Sequence, residues 1–375
     1  VRDGEIGTEH AQGIEMRRRR PAVELLPRHH LHLGFLHMTA QRKPQFAGQI
    51  TASNQKSIAA VVRDGREILS NVIHSQVKTH AAYGGVVPEI ASREHLLKIR
   101  PIVEQALAHI EEVMTLEGPQ NIAAFILETV TGTNGILVPP DGYMQGVRAL
   151  CDKYGIVLIA DEVMTGFGRT GVTCHVDDKA IGNAAKNPAT ARLFATGRTG
   201  ITPDFLCVAK GMTGGYLPMA ATLTTQEVFD AFLGEYEEFK TFFHGHSFTG
   251  NQLGAAASLA SLEILQSKSS VQQRARLQKW LHEELQSLWA LPNVGDIRQV
   301  GLVAGIELVK DWRTRRPFKL RERAGIRVCE GMARRGVLTR PIGNVIPILP
   351  PYCTSRAQLQ QMISALRDAI RKTLV

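Results

Sequence analysis

The stretch Val157-Leu158-Ile159-Ala160-Asp161-Glu162-Val163, followed by Thr165-Gly166-Phe167-Gly168-Arg169-Thr170-Gly171, decides the reading of the fold. Ile156–Ala160 is a short, unbroken apolar run bounded by polar residues, the pattern of a strand buried on both faces. An acid at the carboxyl end of such a strand stands where open α/β sheets bind their ligands. Asp161 is placed there to meet a cationic ring nitrogen; taken alone, it is also what an ordinary strand-end acid looks like.

Working outward, the same alternation of short apolar runs with helical patterns continues in both directions. Ala123–Leu127 and Phe205–Ala209 read as buried strands. Gly142–Lys153, Thr225–Leu233, Gly250–Gln266 and Ser270–Leu288 read as helices. That order predicts an α/β fold with a largely parallel sheet. After Pro292 the pattern changes to strands at Gly301–Val309 and Val345–Leu349 and helices at Glu322–Arg335 and Ser355–Leu374, the last opened by a Ser355/Gln358 capping box. This tail predicts a smaller α+β lobe. Upstream, Ile58–Val62 and Glu67–Ile73 read as two strands joined at Asp64-Gly65, Tyr83-Gly84-Gly85 as a loop, and a helix runs from Ser92 through Leu107. Residues 1–56 show no clear period and read as a poorly ordered or irregular segment. They carry the Arg17–Arg20 run and the histidines 29, 30, 32 and 37, without the spacing of a metal site, and their opening makes a poor signal peptide.

Composition excludes several classes. The 375 residues are 44% hydrophobic and 21% charged, which is globular rather than disordered, and no apolar run is long enough to span a bilayer. Five cysteines form no CxxC pair, so neither a zinc site nor a disulfide framework is indicated, and a reducing cytoplasm is the simplest reading. The net charge of +9 is weighted toward residues 1–108, with 15 Lys+Arg against 10 Asp+Glu. A local basic run of this kind reads as a solvated face or tail rather than a nucleic-acid surface.

Two further segments carry chemistry. Lys210 ends the strand at Pro203-Asp204-Phe205-Leu206-Cys207-Val208-Ala209 and is followed by Gly211, Gly214 and Gly215. A lysine there, if partly desolvated, suits covalent chemistry with a carbonyl, and the glycines let a cofactor approach the backbone; it also reads as a lysine emerging into solvent. His244-Gly245-His246-Ser247-Phe248-Thr249-Gly250-Asn251 lies just ahead of a helix, where hydroxyls and backbone N–H groups suit a phosphate or simply cap the helix. The three segments together describe a site for pyridoxal phosphate.

Residues 109–375 resemble the class III aminotransferases of the fold-type-I pyridoxal-phosphate enzymes. The resemblance rests on Asp161-Glu162-Val163-Met164-Thr165-Gly166-Phe167-Gly168-Arg169-Thr170-Gly171 and on Lys210 with its glycines. Glu128–Gly135 and Pro139–Tyr143 look like the taurine- and β-alanine-type branch. From Ile201 onward, Thr241–Ser247, Gly295–Gln299, Leu338–Pro341 and Leu349–Pro351 look like the biotin-pathway branch, which aminates 8-amino-7-oxononanoate. The resemblance implies a PLP-binding large domain over 109–292, with an insertion near 173–193, and a small domain over 293–375. It also implies a homodimer acting on an amino donor and a keto-acid acceptor. It makes Lys210 the Schiff-base lysine and Asp161 the pyridinium partner. Val163 packs on the ring face, Ser247 binds the phosphate of the neighbouring subunit's cofactor, and Arg340 takes the substrate carboxylate.

Neither the family's Gly-Ser phosphate loop nor its ring-stacking aromatic appears in residues 1–108. A catalytically inactive remnant is therefore the alternative. Residues 57–108, from Val61-Val62-Arg63-Asp64-Gly65-Arg66 to Arg93-Glu94-His95, instead resemble the N-terminal part of the tRNA threonylcarbamoyladenosine (glycoprotease-like) family, from which no functional residue carries over.

Overall fold

The computed structural model describes residues 46–53, 56–63, 67–75, 88–171, 193–245 and 247–374, with side chains from Pro101 onward. Strands β1 (Phe46–Ser53), β2 (Lys56–Arg63) and β3 (Glu67–Ser75) form an antiparallel sheet in chain order. The two upstream strands read from sequence are present, and β1 is a third where the sequence shows no period. The loop at Tyr83–Gly85, the histidine cluster and the arginine run lie outside the described residues, as does residues 173–192 of the expected insertion.

Helix α1 (Pro88–Glu117) is much longer than the Ser92–Leu107 expected. Proline at its first position needs no N–H there, which moves the start upstream. Beyond Pro101 the buried residues Ile102, Val103, Ala106, Ile110 and Met114 recur at helical spacing. This stripe packs on Tyr143, Met144, Val147 and Cys151 of α2 (Tyr143–Tyr154) and on Ile156 and Leu158. Strands β4 (Ala124–Glu128), β5 (Val157–Asp161) and β6 (Phe205–Val208) run parallel in that order, and β7 (Ala221–Thr224) joins antiparallel to β6. Between β5 and β6 lies the short helix α3 (Ala195–Thr199), and after β7 come α4 (Gln226–Asp230), α5 (Gln252–Gln266) and α6 (Lys268–Gln286). The α/β class with a largely parallel sheet is as the sequence reads it.

The C-terminal lobe is α+β, also as expected. Its central strand β9 (Val303–Asp311) pairs antiparallel with β8 (Val294–Val300), β10 (Arg316–Pro317) and β11 (Val345–Ile348). Helices α7 (Ala324–Ala333) and α8 (Arg356–Leu374) cover it together with α6. Leu277, Leu281, Leu285 and Leu288 meet Ile306, Leu308, Met332, Ile363 and Leu366 in one fully buried core. The capping box opening α8 forms in both directions: Gln358 N donates to Ser355 Oγ at 3.2 Å, and Ser355 N to Gln358 Oε1 at 2.9 Å.

The lobe is joined to the parallel sheet at the loop that follows β5. The β8–β9 hairpin turns at Gly301, whose φ is +55°, and a side chain there would strike the backbone of Thr170 and Gly171. Leu302 N donates to Arg169 O at 2.9 Å, so the Phe167–Gly171 loop is pinned by the lobe's own hairpin.

Candidate active site

Asp161 and Lys210 come together because β5 and β6 are adjacent and parallel, with Asp161 opposite Cys207. Both strands therefore end on the same side of the sheet, and the chain delivers a carboxylate and an amine there. Asp161 is half-buried, and its Oδ1 accepts a hydrogen bond from Val163 N at 2.9 Å. Oδ2 takes no hydrogen bond from the described residues, which leaves it as an acceptor for a cationic donor. Val163, half-buried, follows in the same turn.

The neighbouring Glu162 points the other way. Its carboxylate is fully buried and accepts from Thr165 Oγ1 at 2.7 Å, Ala195 N at 2.9 Å and Thr196 N at 2.7 Å. Thr165 in turn shares a 2.9 Å hydrogen bond with Thr129, beyond the end of β4. Glu162 thus ties the turn after β5 to both its neighbours, leaving Asp161 free for the open side. The sequence hints at it only through the paired acids.

Lys210 sits at φ +45° and Phe167 at φ +60°, both in the left-handed region that costs a residue with a side chain roughly 1–2 kcal/mol. Strain of this kind collects at functional sites when the surroundings hold it. Here the surroundings do: Phe167 packs against Gly211, where a Cβ would come within 2.8 Å of the Phe167 Cβ, and Ser261 of α5 donates to Gly211 O at 3.2 Å. The expected desolvation of Lys210 is not found. Its side chain is exposed, because Gly211, Gly214 and Gly215 offer no cover and residues 214–218 are themselves exposed. Among the described residues its amine has no hydrogen-bond or ion-pair partner.

Ser247 lies in the exposed loop before α5. The cap of α5 is Asn251, whose Oδ1 accepts from Gly254 N at 3.0 Å, so the Ser247 hydroxyl is not spent on capping. Arg340 stands in the C-terminal lobe between α7 and β11, exposed and without a partner among the described residues, while the adjacent Thr339 donates to Pro347 O at 3.1 Å. The sheet brings Asp161, Val163 and Lys210 to the carboxyl end of its parallel strands; Ser247 and Arg340 stay on separate exposed segments.

These donors suit pyridoxal phosphate: a partnerless amine for its carbonyl, a carboxylate with a spare oxygen for its ring nitrogen, and an uncommitted hydroxyl for its phosphate. Two supports escape a reading of the sequence. Arg298, 8% exposed, pairs with Asp296 at 2.8 Å and Glu307 at 2.6 Å while donating to Gly135 O and Ile136 O. It holds the bend after β4, where Gly132 abuts Met164 of the Asp161 turn. Tyr352 Oη donates to Phe167 O at 2.9 Å.

Residues 66–181 and 187–370 match the family model described as aminotransferase class-III. The chain is 44% identical over 266 residues to an adenosylmethionine-8-amino-7-oxononanoate aminotransferase of Geobacter sulfurreducens, covering 71% of this chain and 54% of that protein. A protein of the same name from Anoxybacillus flavithermus is 44% identical over 271 residues, covering 72% and 55%. A crystal structure under that name from Methanocaldococcus jannaschii superposes with a TM-score of 0.64 at 37% identity, covering 72% of this chain and 58% of that one. The chain spans about half the length of the curated relatives it matches.

Proposed function

Because this chain belongs to the class III aminotransferases, a family dependent on pyridoxal phosphate, we propose that it transfers an amino group from a small donor to a keto acid, as in the amination of 8-amino-7-oxononanoate to 7,8-diaminononanoate in biotin synthesis. The observation that carries this reading is the pair at the carboxyl ends of the strands. Asp161 and Lys210 end adjacent parallel strands, the carboxylate with a spare oxygen and the amine without a partner.

The cofactor, when bound, supplies an electron sink for the bond cleaved at the substrate carbon. Lys210 would hold it and would take and return the proton at that carbon. Asp161 would keep the ring nitrogen protonated. Val163 would pack on the ring face. Ser247 would donate to the phosphate held by a second copy, which makes a homodimer the proposed working unit. Arg340 grips the substrate carboxylate, a fork-to-carboxylate pairing that lysine cannot copy. The reading divides the family portion into a large domain over 109–292 and a small one over 293–375, and places the chain in a reducing cytoplasm. No helix among the described residues is long and apolar enough to cross a membrane. No role rests on the second resemblance of residues 57–108.

One observation favours a second reading, that of an inactive remnant: Lys210 is exposed rather than enclosed. The test is direct. Protein loaded with pyridoxal phosphate is given S-adenosylmethionine or lysine as donor together with 8-amino-7-oxononanoate, and diaminononanoate is measured by mass spectrometry. The proposal expects turnover that Lys210→Ala abolishes. No product with either donor would leave the remnant.

A further inference from the structure

Lys210 is held in a strained conformation by contacts that originate in the other lobe. Phe167, itself left-handed, rests on Gly211, the residue after the lysine. Its ring meets Phe194 edge-on at 5.3 Å, and its carbonyl accepts from Tyr352 Oη at 2.9 Å. Tyr352 follows Pro350-Pro351 at the end of β11's strand segment, in the C-terminal lobe.

The tyrosine is built in on several sides. The Arg169 guanidinium lies 4.5 Å from its ring centroid and that of Arg274 5.7 Å. Arg169 also donates to Pro350 O at 2.7 Å. Arg274 is 2% exposed, donates through Nη2 to Leu265 O at 2.8 Å, and has no partner for Nη1. A buried guanidinium short of one acceptor is costly, and the electron-rich ring face is the compensation the structure offers it. Burial pushes the Tyr352 hydroxyl above its ordinary pKa, against the pull of the two arginines. At neutral pH it is therefore a donor, as the hydrogen bond to Phe167 O requires.

We propose that Tyr352 is a positioning residue for Lys210, holding the lysine's backbone from the C-terminal lobe through Phe167 and Gly211; this rests on the reading of Lys210 as the cofactor-bearing residue. Nothing in the arrangement touches substrate. What Tyr352 fixes is the direction from which the amine leaves the sheet, and it couples that direction to the lobe that carries Arg340.

The test uses a readout that needs no cofactor: competitive acylation of the protein's lysines with acetic anhydride, read residue by residue against Lys268 and Lys372. Tyr352→Phe keeps the ring between its arginines and removes only the hydroxyl. The Lys210 rate is expected to change by about fivefold, the equilibrium weight of one ordinary hydrogen bond, with the two reference lysines unmoved. Gly211→Ala presses on the same contact from the lysine side, so its effect and that of Tyr352→Phe are expected to be non-additive in the double variant. An unchanged Lys210 rate in a folded Tyr352→Phe protein, or simple additivity, would overturn the proposal. If Tyr352→Phe does not fold, Arg169→Lys takes its place, loosening the ring while keeping the hydroxyl; an unmoved Lys210 then has the same force. Wild-type protein that fails to take up pyridoxal phosphate would sink the functional reading without touching this measurement.

Discussion

Glu162 shows what a single buried carboxylate holds. It accepts three hydrogen bonds, two of them from the backbone that opens α3, with no ion-pair partner among the described residues. Replacing it by alanine strands those donors, and Glu162→Ala is expected to lose about 3 kcal/mol in urea unfolding. Arg298→Ala removes both the pairing of a buried Asp296 and the fork that holds Gly135 and Ile136. About 3–5 kcal/mol is expected there, with Arg298→Lys recovering little because an ammonium cannot make the fork. The buried thiols give a pH dependence. Burial pushes Cys151 and Cys329 up to about 11 from an ordinary value of 9.0. The folded state keeps these protons longer than the unfolded chain, so their contribution is complete below pH 9.0 and is lost as pH rises toward 11. The urea midpoint is expected to fall across that window, and to fall less in Cys329→Ala. Sequence reading singles out Asp161 and Lys210, the proposed cofactor residues, because a charged side chain shows at the end of an apolar strand. It misses the supporting roles of Glu162, Arg298 and Tyr352, which rest largely on backbone atoms far along the chain that carry no sequence signal.

At the level of elements, strands written as unbroken apolar runs were legible, whereas β7 and β8 were not. Val157–Asp161 and Phe205–Val208 stand out as apolar runs. Val294–Val300 does not, because it buries Asp296 and Arg298 against each other and so breaks the apolar pattern of a core strand. Ala221–Thr224 hides for the opposite reason: it is an edge strand with three exposed residues. Helix limits shifted where caps were unread, as with Asn251 and Ser267, each of which accepts from a backbone N–H three residues on. The junction between lobes rests on one hairpin. Gly301→Ala would drive a methyl group into the Thr170–Gly171 backbone at a positive φ, so it is expected to lower the thermal midpoint and to loosen the loop after Asp161. Hydrogen exchange at Leu302 N, which donates to Arg169 O, reads that loosening directly.

Over the whole molecule, the apolar surface is uneven. The C-terminal lobe packs a large buried core, and in the segment of chain that follows Lys210 five aromatics, Tyr216, Tyr236, Phe239, Phe243 and Phe248, stand 72–89% exposed. Apolar side chains left this exposed suit the proposed association with a second copy of the chain. Sedimentation is expected to show concentration-dependent association that Phe243→Asp weakens. Asp161 and Lys210 stand at the carboxyl ends of two interior strands, Asp161 half-buried and Lys210 exposed, and cofactor uptake there is the decisive property. The most direct measurement is absorbance after adding pyridoxal phosphate to purified protein and dialysing, beside Lys210→Ala. A band that survives dialysis in the wild type and is missing from the variant is expected. No band, or one that persists equally in Lys210→Ala, would overturn the assignment of Lys210 as the cofactor lysine.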